Sequence, residues 1–508
     1  MIYKSVYKKI ADSSRKNGEN KLSFAKSKYG AFRYDGSDGY EILNPLNRQL
    51  SSDQYRLISR AVISAMRGDC EEALTRFESL SSAIKAVRGS VYVTEHIFRN
   101  STRADSNNLF LSAVTILSRT SDPECAKYAL ALLGTVKYTD EDAKKIAETF
   151  ASHDEFTYFG ILALSNFTDI NDKVFELAKK LRGWGRIMAV HELEADDRNK
   201  KRWLLENGID NCVSPLYSAL PVWEKAEVGT LLGKDTISPH DFSLISRIVS
   251  AVINSEETLD IEVLSRDDTS NYLAHARNMP DLSVEEYDTV LSLMYRSTSY
   301  DMCDLASEAM DILSTPDCSF TVKEALKSGK GSAIAAEIGL PYVDEMMSFI
   351  TENFAEAFTE VSTVFHIRDL HPSIADLFRE HIMPEHITDA YSAPAGDPDC
   401  LRSFEMIDTV LDNIEDMPGS CPDLVMLALR SFESDLRAAA LDVLMEWIRI
   451  NQQGLPDSYP EFIPLLDDLA HSETDEDNLL TEKVLLSGRF PDEDDYYGDY
   501  LCEEMEGI

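Results

Sequence analysis

A helix-pair pattern that occurs three times within residues 108–193 constrains the fold of this chain more than any other feature. Each copy consists of an apolar helix, a short polar turn and a second apolar helix. The apolar stripe of one copy returns 31 residues later: Ala143, Ile146, Ala147 and Phe150, then Val174, Leu177, Ala178 and Leu181. Such i, i+3, i+4, i+7 stripes form the buried face of amphipathic helices. Because a single helix pair cannot bury its own apolar face, the repeat predicts a stack of pairs.

Short motifs elsewhere resemble two families of helical repeats. Residues 68–74, followed by Phe77, resemble the turn and second helix of a tetratricopeptide (TPR) hairpin. Residues 436–444 resemble the second helix of a HEAT repeat, and residues 185–193 have the same Arg-x-x-Ala-x-x-x-Leu spacing. This resemblance implies an all-α fold, a HEAT- or TPR-like α-solenoid of stacked helix pairs over most of the chain.

Composition predicts four regions along the chain. The first joins a basic helix to a small β-hairpin, the second is the α-solenoid, the third holds C-terminal helical repeats, and the fourth is an acidic tail. A loop rich in proline and glycine around residues 392–398 separates the second and third regions. The predicted regions are residues 1–50, 51–385, 400–470 and 471–508.

The two ends of the chain differ in charge from each other. The basic helix near the N-terminus, with Val6 and Ile10 on its apolar face, is expected either to cap the solenoid or to bind a membrane surface or an acidic partner. The hairpin is predicted from residues 31–34 and 40–43, which flank an Asp/Gly-rich turn. The tail is expected to be solvated, because its dense carboxylates repel one another.

The overall charge limits the classes of partner. The chain carries 89 acidic and 49 basic residues, a formal net charge of −40. A surface this negative repels phosphate backbones, so nucleic-acid binding is not expected. No run approaches the ~20 apolar residues of a membrane helix. The eight cysteines form no Cys-x-x-Cys pair and no secretory signal opens the sequence, so the thiols are expected to be reduced in the cytoplasm of a bacterium.

Residue patterns that would support catalysis or metal binding do not occur in the sequence. The four histidines at 366, 371, 381 and 386 are spaced by 5, 10 and 5 residues, which does not place two ligands on one helix face. Residues 329–332 resemble a phosphate loop without its leading glycine, so a turn between helices is expected there. The sequence therefore predicts no catalytic residue, no metal and no cofactor.

One stretch combines tryptophan and arginine in a manner typical of binding surfaces. Three of the four tryptophans lie within residues 179–223, and residues 179–203 carry a local charge of +4. Tryptophan and arginine commonly anchor partners, because each joins a large contact area to a polar group. The alternative is that the tryptophans fill the core while the charges solvate turns. The predicted binding residues, named here the Trp/Arg island, are Arg182, Trp184, Arg186, Arg202, Trp203 and Trp223.

The partner expected at the Trp/Arg island is a protein or peptide that presents carboxylates, because the island is a positive exception on a negative chain. Arg182 and Arg186 are four residues apart, so on one helix they would lie on the same side and hold one anion together. Trp184, if exposed, would form the apolar floor of that site.

The same stretch is similar to a family of uncharacterised proteins from Gram-positive gut bacteria that often carry the label limonene hydroxylase. The similarity lies in residues 181–186 and 203–205. The label implies haem or another oxygen-activating centre, yet the chain lacks a haem-loop cysteine motif and a dinucleotide glycine fingerprint. We therefore expect a non-catalytic, protein-binding scaffold, with a monooxygenase as the alternative.

Overall fold

A computed structural model describes most of the chain, and every regular element that it describes is helical. Among these residues one compact unit ends at Ile312, and a second begins at Leu313. Most of the predicted hinge at residues 392–398, namely residues 392–397, lies outside the described part. The described residues are 4–17, 24, 35–44, 50–102, 104–259, 261–389, 398–473 and 475–488.

The first unit is built from helices that follow one another closely in sequence. A 3-10 turn, Asp154–Phe156, precedes α9. The helices are α1 (Val6–Asn17), α2 (Asp38–Leu43), α3 (Ser52–Arg67), α4 (Cys70–Ala83), α5 (Ala86–Arg99), α6 (Ser106–Arg119), α7 (Pro123–Gly134), α8 (Glu141–Ala151), α9 (Thr157–Leu164), α10 (Ile170–Lys180), α11 (Trp184–Glu192), α12 (Arg198–Asn207), α13 (Leu216–Lys225), α14 (Val228–Leu232), α15 (Pro239–Leu259), α16 (Arg266–Asn278), α17 (Val284–Ser299) and α18 (Cys303–Leu313).

The second unit has shorter helices, joined in places by 3-10 turns at Phe358–Val361, Arg368–Leu370 and Pro460–Phe462. Its helices are α19 (Pro316–Leu326), α20 (Ser332–Glu337), α21 (Val343–Glu352), α22 (Phe354–Ala357), α23 (Ser362–Phe365), α24 (His371–His381), α25 (Pro384–Thr388), α26 (Pro398–Ile414), α27 (Pro422–Leu429), α28 (Ser434–Asn451), α29 (Leu455–Ser458), α30 (Ile463–Ala470) and α31 (Glu476–Ser487).

The three predicted helix pairs are present in the first unit. They are α6 with α7, α8 with α9, and α10 with α11, and the second helices α7, α9 and α11 pack on one another in sequence order. The predicted stripes face inward, since Ala147, Phe150 and Ala178 are fully buried. The all-α character of the fold is therefore confirmed for the described residues, and these three helix pairs are present as predicted.

Acidic side chains fix where several of these helices begin. Asp105 accepts hydrogen bonds from the backbone N–H groups of Asn107 and Asn108 at the start of α6. Asp140 does the same for Ala143 at the start of α8. A capping carboxylate satisfies N–H groups that have no partner within the helix, and its charge matches the positive end of the helix dipole. Some of the many acidic residues of the chain therefore act as N-caps of its helices.

Helix α1 lies against the body of the first unit. Val6 and Ile10 are fully buried, and the backbone N–H of Val6 donates to the carbonyl of Thr120 at 2.9 Å. The helix packs on α6 and α8. Of the two expectations for this basic helix, the structure favours the cap, because the apolar face that a membrane would bind is already covered.

The predicted β-hairpin is wrong in the arm that the structure describes. Residues 40–43 belong to the helix α2, and residues 31–34 lie outside the described part. The alternating pattern covered only four residues, and tertiary contacts decide the conformation instead. Asp38 binds the buried ammonium of Lys127, and the N–H of Gly36 donates to Glu155 at 2.8 Å. These contacts hold the Asp/Gly-rich turn against α7 and against the 3-10 turn that precedes α9.

The acidic tail also differs from the solvated segment that its composition predicts. Helix α31 packs on α28 and α30, and its buried stripe at i, i+4 and i+7 consists of Asn478, Glu482 and Leu485. Two of these three residues are polar, so no apolar periodicity marks the helix in the sequence. Residues 489–508 lie outside the described part.

Candidate functional site

Trp184 and Trp223 of the Trp/Arg island are core residues, 5% and 8% exposed respectively. The ring of Trp184 contacts that of Tyr217 at 4.9 Å between centroids and packs with Ile187. Helix α2 covers it so closely that a Cβ atom on Gly39 would lie 2.5 Å from the Trp184 ring. Trp184 therefore does not form the exposed apolar floor that the sequence suggested.

Arg202 is in the right region but its charge is already balanced. Its Nε donates to Glu206 and its Nη1 to Asp241, each at 2.5 Å. The hydrogen bond with Asp241 is the main reason that the pKa of Arg202 lies above its usual value. A guanidinium that is already bound by two carboxylates has few N–H donors and little net charge available for a third carboxylate.

The remaining island residues meet two side chains that the sequence analysis did not select as binding residues. Trp203 on α12 stands edge-to-face on Phe175 of α10, with 5.4 Å between ring centroids. The ammonium of Lys179 lies 3.9 Å above the Phe175 ring, and the guanidinium of Arg186 lies 5.2 Å from the Trp203 ring. Both rings are half-buried. We call Lys179, Phe175, Trp203 and Arg186 the aromatic–cation row.

The guanidinium of Arg186 is incompletely compensated. Its Nη2 donates to the carbonyl of Asn207 at 2.5 Å, while its buried Nε has no hydrogen-bond partner among the described residues. Burial lowers the pKa of Arg186, nearby Arg182 lowers it further, and Asp210 opposes the shift. The two arginines therefore influence each other electrostatically, but they do not share one helix as predicted, because Arg182 precedes α11. A bound carboxylate would relieve this excess of positive charge.

Much of the other basic charge in this region is paired. Lys200 is buried among Asp196, at 2.8 Å, and Asp172, at 3.1 Å, and Lys201 binds Glu227. By contrast, Lys180, Arg182, Arg186 and Arg198 form no ion pair within the described residues, and all of them except the half-buried Arg186 are exposed. The unpaired positive charge of this region thus lies on these four residues.

The start of α11 is held in place by close backbone packing. The N–H of Gly185 donates to Asp154 at 2.9 Å, and a Cβ on Gly185 would lie 2.5 Å from the hydroxyl of Thr157. At the other end of the helix, the ammonium of Lys225 binds the carbonyls of Val190 and His191. Both ends of α11 are therefore fixed, which fixes Arg186 beside Trp203.

Elsewhere in the first unit, the ammonium of a lysine lies among three carboxylates. Asp38, Glu124 and Glu155 are close enough to share one metal ion, and they are the one such group found in the described residues. The ammonium of Lys127 already lies among them, 2.9 Å from Glu124 and 2.6 Å from Glu155. Burial alone would lower the pKa of Lys127, but the three carboxylates outweigh it and raise that pKa.

Two of the four histidines at 366, 371, 381 and 386 form local hydrogen bonds to backbone carbonyls. His371 Nε2 bonds the carbonyl of Phe365, and His381 Nδ1 bonds the carbonyl of Leu377 at 2.8 Å. Each ring is thus engaged near its own helix. His366 instead lines a cavity in the second unit.

That cavity, of about 530 Å³, is a feature that sequence reasoning missed. Burial raises the pKa of Glu415, and the carboxylates of neighbouring Glu446 and Asp442 raise it further. The residues come from α23, α26 and α28, so they are far apart in the sequence. The pattern that could have pointed to it is the acidic i, i+4, i+7 stripe of Asp408 and Asp412 on α26 and Glu415 just after its end. The cavity is lined by Ser362, Phe365, His366, Asp412, Asn413, Glu415, Asp416, Met417 and Glu446.

No protein family, curated protein or solved structure matches this chain. The described part of the chain holds no helix with the length and apolarity that crossing a bilayer requires. The geometry of the aromatic–cation row is therefore the main guide to function.

Proposed function

We propose that this chain is a non-catalytic, HEAT-like scaffold protein that binds an acidic segment of a partner protein at the aromatic–cation row. The observation that supports this function is the row itself, in which two half-buried rings lie between cationic groups on an otherwise acidic protein. Aromatic and arginine side chains together give a partner both apolar contact and charge recognition.

The chemistry of the row matches a segment in which a carboxylate lies next to an aromatic side chain. The carboxylate would bind between Arg182 and Arg186, where the Nε of Arg186 has no hydrogen-bond partner among the described residues. The aromatic side chain would stack against Trp203 and Phe175, whose half-buried rings are in contact. A carboxylate held by arginine forms a charge-assisted hydrogen bond, which is roughly twice as strong as a neutral one.

Tryptophan fluorescence can report this binding at a single site. Trp184, Trp223 and Trp447 are buried, and Trp203 is the one tryptophan of the four that is only half-buried. We expect a synthetic peptide of alternating Glu and Tyr to change the emission of the protein with saturation. The Gln/Tyr counterpart of that peptide should bind far more weakly, because it has the rings without the charge.

Arg182→Glu tests the assignment without disturbing the core, because this side chain is exposed and forms no ion pair among the described residues. We expect it to weaken binding of the Glu/Tyr peptide at least ~10-fold, about 1.4 kcal/mol. Arg198→Glu is the matched control, since Arg198 is also exposed and lies at the start of α12. Equal effects of the two variants would mean that only overall charge matters, and the proposed site would be wrong.

A further inference from the structure

The acidic helix α31 is held in the second unit by a face that includes an unusual buried acid. Asn478 donates its side-chain N–H to the carbonyl of Ser434 on α28 at 3.0 Å, and Leu485 is fully buried. Between them lies Glu482, which is also fully buried. Neither of its carboxyl oxygens has a hydrogen-bond partner among the described residues.

Arg437, the one cation among the described residues that acts on Glu482, is already engaged by another carboxylate. Arg437 on α28 binds Glu473 with two hydrogen bonds of 2.7 Å, from Nε and Nη2, and its Nη1 donates to the carbonyl of Ser431. Glu473 has no exposed side-chain surface. Two buried carboxyl groups therefore share one guanidinium, and the nearer pairing belongs to Glu473.

The other charged groups described on the elements around α31 are exposed or already paired. Glu446 of α28 is bound by Arg449. The exposed groups are Asp435, Asp442 and Arg449 of α28, Asp457 of α29, Asp467 and Asp468 of α30, and Lys483 on α31 itself. The electrostatic influences on Glu482 come from Glu473, which opposes its ionisation, and from Arg437, which favours it. With one positive and one negative neighbour, a second buried negative charge would lack compensation, and burying such a charge is costly.

We propose that Glu482 is a proton-operated latch, which holds α31 on α28 while its carboxyl is neutral and loosens α31 when it ionises. Burial raises the pKa of Glu482 to about 7, and Glu473 adds to the rise. The latch therefore changes state near neutral pH. An ordinary exposed glutamate, with a pKa of about 4.3, would already be ionised there.

The sign of the pH dependence follows from this raised pKa. Suppose that the pKa of a carboxyl is higher in the packed state than in the open state. Its full stabilisation of the packed state is then present at pH values below the open-state pKa. That contribution decreases as the pH rises through the packed-state pKa. With values of about 4.3 and about 7, the equilibrium constant for opening α31 should rise roughly 30-fold between pH 5.5 and pH 8. Release of α31 would uncover the faces of α28 and α30 on which it packs.

Hydrogen exchange of residues 475–488 in the full chain, corrected for the intrinsic pH dependence of exchange, measures this opening. The wild-type protein should show the increase, and Glu482→Gln should stay protected with little change across the same range. Glu461→Gln, an exposed neutralisation next to α30, is the matched control and should behave as the wild type does. Parallel pH dependence in the wild type and Glu482→Gln would overturn the latch.

A second variant keeps the test decisive if Glu482→Gln fails to fold. Glu473→Gln removes the competing charge and leaves Arg437 available to Glu482. The transition of the exchange profile should then move to lower pH by at least one unit, because ionised Glu482 gains a partner. A transition that stays near neutral pH in Glu473→Gln would show that Glu482 is not the titrating group.

Discussion

Replacing Lys127 with methionine should destabilise the first unit strongly. The ammonium of Lys127 is 1% exposed and lies among three carboxylates that are each 12–13% exposed. Asp38 belongs to α2, Glu124 to α7 and Glu155 to the 3-10 turn before α9, so one cation joins three elements. Methionine fills much of the same volume but leaves the three negative charges together without a counter-ion.

The size of the effect follows from burial. Removing one partner from a buried ion pair costs about 3–5 kcal/mol, because the remaining charge stays desolvated and uncompensated. The matched control is Lys145→Met, whose ammonium lies 3.8 Å from Asp142 with both side chains largely exposed. An exposed pair of this kind contributes about 0–1 kcal/mol. The two variants remove the same charge, so their difference isolates the buried network.

Urea unfolding followed by circular dichroism measures the loss, and hydrogen exchange of residues 35–44 measures release of α2. Without Lys127 the clustered carboxylates gain raised pKa values in the folded state. Their protonation then restores stability as the pH falls, so the deficit of Lys127→Met should be largest near neutral pH and smaller towards pH 5. Equal unfolding midpoints for Lys127→Met and Lys145→Met at neutral pH, or a deficit that grows on acidification, would refute this reasoning.

Two further substitutions test the packing of the first unit. Glu256→Gln should cost about 3–5 kcal/mol in urea unfolding, because it breaks the buried pair with Arg296 between α15 and α17; a loss below 1 kcal/mol would contradict this. Gly39→Ala should displace α2, because its Cβ would lie 2.5 Å from the Trp184 ring, and the emission of Trp184 should shift to longer wavelength as water reaches it; unchanged emission would contradict the close contact.

The helix pairs could be predicted from the sequence because their information is local. Stripes such as Ala143 to Phe150 show helical periodicity within the segment itself, and capping residues such as Asp140 mark where the helices begin. Helix α31 could not be predicted this way, since its buried face contains Asn478 and Glu482. Their burial depends on α28 and α30, which no pattern within α31 reveals. Residues 40–43 likewise belong to a helix whose first residue, Asp38, binds Lys127, far away in sequence.

The candidate site was predicted in part. Spacing brought Arg182 near Arg186, and composition pointed to Trp203, but whether a tryptophan lies in the core or at the surface depends on what covers it. Helix α2 covers Trp184, and the sequence gives no sign of that contact. Phe175 escaped selection as a binding residue because a single phenylalanine on an amphipathic helix resembles any core residue. Its proposed role rests on its contact with Trp203.

Hydroxyl-radical footprinting with the alternating Glu/Tyr peptide tests the location of the proposed site most directly. The aromatic side chains of Trp203 and Phe175 should become protected from oxidation when the peptide binds. The exposed rings of Tyr55 on α3 and Phe98 on α5 serve as internal references and should react as before. Protection confined to the first two rings is the predicted result. Binding of the peptide with Trp203 and Phe175 still fully reactive would contradict the proposed function.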